Sequence, residues 1–148
     1  MNKENQIYAA YGSNLNLEQM SYRCPYATVI GNAELPGYQL LFRGSNGGAV
    51  ATVEPKEDGT VPILLWEITP RDEEELDRYE GWPRLYRKEL VSVSYKGKLV
   101  DVMAYIMNDG YLLGIPGQRY YNTIMEGYRS AGFDEKVLED AVMASDRR

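Results

Sequence analysis

A chain of 148 residues, 44% hydrophobic and 26% charged, has the make-up of a soluble globular protein and is expected to fold as a single domain, residues 1–148. Its formal net charge of −6 argues against nucleic acid and anionic membrane surfaces as partners. Histidine is absent, which removes serine triads, cysteine–histidine pairs and most zinc sites, and leaves any acid–base chemistry to Asp, Glu, Lys or Tyr.

No apolar run reaches the length of a membrane span, and Met1–Gln6 lacks the apolar core of a signal peptide. The single cysteine, Cys24, cannot pair within the chain, so a cytoplasmic, reducing setting is the expectation. Thirteen tyrosines stand against two phenylalanines, a composition that can line a cavity both apolar and hydrogen-bonding.

In chain order, Ile7–Tyr11 reads as a buried strand that stops at Gly12. Asn16 is an N-cap with Gln19 at capping-box spacing, opening a helix over about Leu17–Arg23 that Cys24-Pro25 ends. The strand therefore runs through a tight glycine turn into a helix N-terminus, where backbone N–H groups converge as a cradle for a carboxylate or an oxyanion. The same residues would also serve as a plain strand–helix turn.

Strands are expected at Ala27–Leu35 and Gly37–Phe42. Gly44–Gly48 reads as a flexible connection rather than a phosphate-binding loop, since no Lys-Ser or Lys-Thr follows it. Ala49–Glu54 and Val61–Ile68 read as two further strands, joined by a turn at Lys56–Gly59. The apolar run Ile63–Trp66 suits a strand buried on both faces. Thr69-Pro70 opens an acidic helix that ends at Gly81. Tyr86–Tyr95 and Lys98–Met107 form a hairpin around Lys96-Gly97. After a loop over Asn108–Gly117, helices run over about Gln118–Ser130 and Asp134–Ser145. Strands early and helices gathered late give an α+β class, with a strand count that suits a small closed sheet.

Within the acidic helix, Glu80 follows Leu76 by four residues and so shares the apolar stripe instead of the solvated face. It also stands at the negative end of the helix dipole, flanked by Tyr79 and Trp82. Both circumstances push its pKa toward the range of a general base at neutral pH. The competing reading is a surface charge paired with Arg84 or Arg87. Glu73, Glu75 and Arg78 read as a solvated face, with Arg78 pairing to Glu74.

The stretch Tyr8-Ala9-Ala10-Tyr11-Gly12-Ser13-Asn14-Leu15 resembles the signature of the gamma-glutamylcyclotransferase superfamily. Leu76-Asp77-Arg78-Tyr79-Glu80-Gly81, with Tyr86 after it, resembles that family's catalytic-glutamate segment, and Gly47–Thr52 a strand motif between the two. Pro116-Gly117-Gln118-Arg119-Tyr120 falls where members carry a substrate-side tyrosine, although Tyr121 is adjacent. The resemblance extends to about Gly132.

It implies a small mixed β-barrel flanked by helices, acting without metal or organic cofactor as a monomer or homodimer. It also implies cyclisation of a small γ-glutamyl compound to 5-oxoproline, with release of an amine or amino acid. Glu80 would be the general base. Tyr11, Gly12, Ser13, Asn14, Leu15, Tyr86 and Tyr120 would bind substrate, although Tyr120 also lies at core spacing with Ile124 and Tyr128. A superfamily enzyme acting on γ-glutamylamines or a γ-glutamylated intermediate, and a non-catalytic binding module, are the alternatives.

Overall fold

The computed structural model describes residues 4–148, so part of the N-terminal segment considered for a leader, Met1–Lys3, lies outside it. Five strands close into a barrel in the order β1-β3-β2-β4-β5. They are β1 (Gln6–Ala10), β2 (Thr28–Arg43), β3 (Val50–Ile68), β4 (Tyr86–Tyr95) and β5 (Lys98–Met107). Neighbours run antiparallel except β1 and β5, whose parallel pairing at Tyr8 and Met103 closes the sheet and makes it mixed. Helices α1 (Leu17–Arg23), α2 (Pro70–Glu80), α3 (Gln118–Ala131) and α4 (Glu135–Ser145) flank it. The α+β barrel flanked by helices is the architecture expected above. Among the described residues, no helix is long and apolar enough to cross a membrane.

The sheet differs from the sequence reading in its continuity. The strands expected on either side of Pro36 are one strand, and those on either side of Lys56–Gly59 are another. Pro36 faces Thr60 and Tyr38 faces Pro55, so Lys56–Gly59 stands opposite Gly37 alone. The turn-forming composition is spent on a bulge within a long hairpin and does not reverse the chain. Asp58 takes a left-handed conformation there (φ 64°). Gly59 lies so near the backbone that a Cβ would stand 2.3 Å from the Tyr38 carbonyl oxygen.

Gly44–Gly48, expected to be flexible, is instead fastened to the loop before α3. The Gly44 N–H donates to the Leu112 carbonyl at 2.8 Å, the Gly47 N–H to that of Ile115 at 2.8 Å, and the Ile115 N–H to Asn46 Oδ1 at 2.9 Å. Glycines of the facing loop permit this close backbone approach, since a Cβ on Gly114 would meet the Gly44 carbonyl oxygen at 2.7 Å.

The run Ile63–Trp66 is buried throughout, as a strand covered on both sides requires. Helix α2 starts on a complete capping box. Thr69 Oγ1 accepts from the Asp72 N–H, and Asp72 Oδ2 accepts from the Thr69 N–H at 3.0 Å. Asp72 is buried and also accepts from the Tyr26 N–H, tying α2 to the end of α1. Replacing Asp72 by Ala orphans these donors. We expect unfolding in urea to require about 1–3 kcal/mol less free energy than in the parent protein.

Candidate functional site

Three segments meet at one end of the barrel. The first is the turn after β1. A short 3₁₀ turn, Ser13–Leu15, follows Gly12, with the Leu15 N–H donating to the Gly12 carbonyl at 3.0 Å. The opening N–H groups of such a turn, those of Ser13 and Asn14, have no acceptor within it. Asn16 then caps α1 by accepting from the Gln19 N–H at 3.0 Å, and its own amide donates to the Thr123 carbonyl and to Glu126 on α3.

The second segment is the end of α2. Leu76 is fully buried against the barrel and Gly81 closes the helix in the left-handed region (φ 66°), as its place in the sequence implied. Of the face expected to be solvated, Arg78 is exposed and Glu75 half-exposed, whereas Glu73 joins Asp77 in a strap onto the barrel. Lys88 Nζ bonds to Glu73 at 2.7 Å and to Asp77 at 2.9 Å, and the Tyr105 hydroxyl donates to Asp77 at 2.6 Å. Arg78 pairs one residue nearer than expected, with Glu75 rather than Glu74. Glu80, one turn after the buried Leu76 on the same face of the helix, lines the cavity that the three segments enclose.

The third is formed by the two strands and the helix opposite, contributing Ala51 of β3, Tyr86 of β4 and Tyr120 of α3. Together these elements enclose a cavity of about 20 Å³, lined by Tyr8, Tyr11, Gly12, Ser13, Asn14, Ala51, Glu80, Tyr86 and Tyr120. Of the site residues expected from sequence, Glu80, Tyr11, Gly12, Ser13, Asn14, Tyr86 and Tyr120 therefore meet. Leu15 does not join them. It is fully buried beneath Gly127 of α3, in the core. Tyr121 lines a separate depression beside Glu139, so of the two adjacent tyrosines it is Tyr120 that lines the cavity.

The residue Glu80 is partly exposed at the helix end, while its carboxyl is buried among the tyrosines. Burial raises its pKa from an ordinary 4.5 to about 7, and the Arg23 guanidinium pulls in the opposite direction. Arg87 is paired with Glu89, so the surface ion pair considered for Glu80 does not form there. Burial likewise holds Tyr8, Tyr11, Tyr86 and Tyr120 well above the ordinary phenol value, so all four are neutral at physiological pH. Glu80 is thus the one group lining this cavity suited to act as a base near neutrality.

The tyrosines divide into two kinds. Tyr11 donates to the Tyr105 carbonyl at 2.6 Å and Tyr86 to the Ala51 carbonyl at 2.5 Å, so their protons are committed. Tyr8 accepts from the Asn14 amide at 2.9 Å and Tyr120 from the Ala51 N–H at 3.0 Å, which leaves both hydroxyl protons free to donate into the cavity. Among the described residues, no group of three or more carboxylate or thiol side chains is placed to hold a metal ion.

Residues 8–128 match the family model described as Gamma-glutamyl cyclotransferase, AIG2-like. The chain belongs to this family. It is 29% identical to human gamma-glutamylcyclotransferase over 146 residues, covering 93% of this chain and 77% of that one. With the mouse gamma-glutamylcyclotransferase it shares 28% identity over 92% of this chain and 77% of its relative. A solved structure titled gamma-glutamyl cyclotransferase superimposes with a TM-score of 0.84 at 27% identity, covering 98% of this chain and 90% of the other.

Within this cyclotransferase-family fold, two contributors were not singled out from sequence. Tyr8 sits in the strand motif, but alternation places it on the opposite face from Tyr11. Both reach the cavity because β1 ends at Ala10 and the chain turns between them. Arg23 reads as an ordinary basic residue in the last turn of a helix. In the fold its guanidinium reaches Asn14 and Gln19 and lies 3.5 Å over the Tyr79 ring. No local pattern signals that reach.

Proposed function

We propose that the chain catalyses intramolecular aminolysis of a γ-glutamyl compound, giving 5-oxoproline and a free amine or amino acid, with Glu80 as the general base. The observation that carries this reading is a buried carboxyl, raised to about pH 7, facing the Gly12–Asn14 turn across a tyrosine-lined cavity. Membership of the family and the printed name of its relatives support the same chemistry.

The substrate's α-amino group is charged at neutral pH, and Glu80 both holds the ammonium and accepts one of its protons. The freed nitrogen attacks the γ-carbonyl carbon of the same molecule, so a new ring C–N bond forms. Because both partners belong to one substrate, the protein's contribution is mainly orientation. The N–H groups of the turn, with the Tyr8 and Tyr120 hydroxyls, can donate to the substrate carboxylate or the developing oxyanion. As the tetrahedral intermediate collapses, the bond to the departing amine breaks and Glu80 returns its proton to that nitrogen. The carboxylate then takes the second proton from the ring nitrogen, leaving the lactam N–H, and passes it on so that the amine departs as its ammonium. Charge and atoms balance without a cofactor.

The test is incubation of the purified protein with a panel of γ-glutamyl amino acids and γ-glutamylamines, followed by quantification of 5-oxoproline. Release from at least one member is expected. Saturable binding with no release from any of them would leave a non-catalytic small-ligand module.

A further inference from the structure

The cavity beside Glu80, about 20 Å³, has room for roughly one water molecule. Ligand pockets are ordinarily of the order of 300 Å³ or more. A groove of about 520 Å³ adjoins it, sharing Ser13 and Tyr120 and lined also by Tyr79, Gln118 and Arg119. Tyr79 lines the groove but not the cavity. Its hydroxyl lies 2.6 Å from Ser13 Oγ, its ring is covered by the Arg23 guanidinium at 3.5 Å, and the residue is still 43% exposed. The partition is thus one side chain held by a hydrogen bond and a cation–π stack, on the helix residue next to Glu80.

We propose that Tyr79 is a gate in front of a specificity groove: once its bond to Ser13 is released, the Glu80 cavity and the outer groove become one pocket, with the γ-glutamyl head inside and the departing amine beside Arg119, which selects it. This rests on the cyclotransferase reading of Glu80. Arg119 is the one charged residue lining the groove, and its guanidinium makes no ion pair among the described residues. A cation without a carboxylate beside it favours an amine portion that carries its own carboxylate. The groove therefore selects γ-glutamyl amino acids over γ-glutamyl alkylamines.

A ligand that binds only the open form has its affinity reduced by the fraction of molecules that are open. Tyr79→Phe keeps the ring under Arg23 and removes the bond to Ser13. It should lower KM for γ-glutamyl-alanine and γ-glutamyl-ethylamine alike, by about 3- to 10-fold, with kcat changed much less. Arg119→Gln should narrow the ratio of kcat/KM between the two compounds by about 5- to 10-fold. In the ligand-free parent protein, ¹³C relaxation dispersion of the Tyr79 ring should report opening on the μs–ms timescale.

A static Tyr79 ring together with an unchanged KM in Tyr79→Phe overturns the gate, even while turnover upholds the role of Glu80. If the parent protein releases 5-oxoproline from no member of the γ-glutamyl panel, the reading of Glu80 fails on its own. The gate is then decided by calorimetric binding of 5-oxoproline. Tighter binding by Tyr79→Phe than by the parent sustains it, and equal or absent binding overturns it.

Discussion

Glu80→Gln should lose about 100- to 10,000-fold in kcat, the usual contribution of a positioned general base, while still binding a γ-glutamyl compound. The same substitution should make the protein more stable, and only above a certain pH. The Glu80 carboxyl gives up its proton near pH 4.5 when unfolded but near 7 when folded. Below about pH 4.5 both states are protonated and the residue costs nothing. As pH rises from 4.5 to 7 the unfolded chain ionises first, so folding stability falls, and above 7 the full cost remains. That cost is at most about 3 kcal/mol. Glutamine never ionises, so Glu80→Gln should melt higher than the parent at pH 8 and equally at pH 4. A protein that is slower but no more stable at pH 8 would mean that the carboxyl is well solvated.

Gly127→Ala should damage both stability and rate, although the site lies outside the cavity. Helix α3 crosses the Ser13–Leu15 turn so closely that a Cβ on Gly127 would stand 2.6 Å from Leu15 Cβ and 2.8 Å from the Leu15 carbonyl carbon. One of those neighbours is backbone, so the helix and turn must separate. Overpacking of this kind costs about 1–3 kcal/mol, against which the better helix propensity of alanine returns up to about 1 kcal/mol. Displacing the turn also moves the Ser13 and Asn14 N–H groups away from Glu80. Misplacement approaching 1 Å can lower a rate by about 100-fold, and we expect kcat/KM to fall by about 10- to 100-fold. Urea denaturation and steady-state kinetics on the same preparation read both effects, and a more stable, fully active variant would contradict the packing.

Features set by local chemistry could be read from the sequence. The caps at Asn16 and Thr69, the stops at Gly81 and Gly132, and the Lys96-Gly97 turn depend on residues within a few positions of one another. The inward aim of Glu80 could be read in the same way, because spacing from Leu76 along a helix fixes the face. Features set by tertiary approach could not. Gly59 and Gly114 look like turn and loop residues, and only the nearby Tyr38 and Gly44 carbonyls reveal that a side chain would not fit. The Lys88 network makes Glu73 and Asp77 structural, though their helix positions look solvated. Leu15 belongs to a site motif in sequence, yet its packing partner is Gly127, more than a hundred residues away.

The role of Glu80 is tested most directly by titrating its carboxyl in ¹³C-glutamate-labelled protein, with the resonance assigned by its disappearance in Glu80→Gln. The pH dependence of kcat/KM for 5-oxoproline release is then measured alongside. Both curves should turn at the same pH, about 7, with the rate rising as the carboxyl loses its proton. A carboxyl that titrates near 4.5, or a rate that does not follow it, would contradict Glu80 as the base.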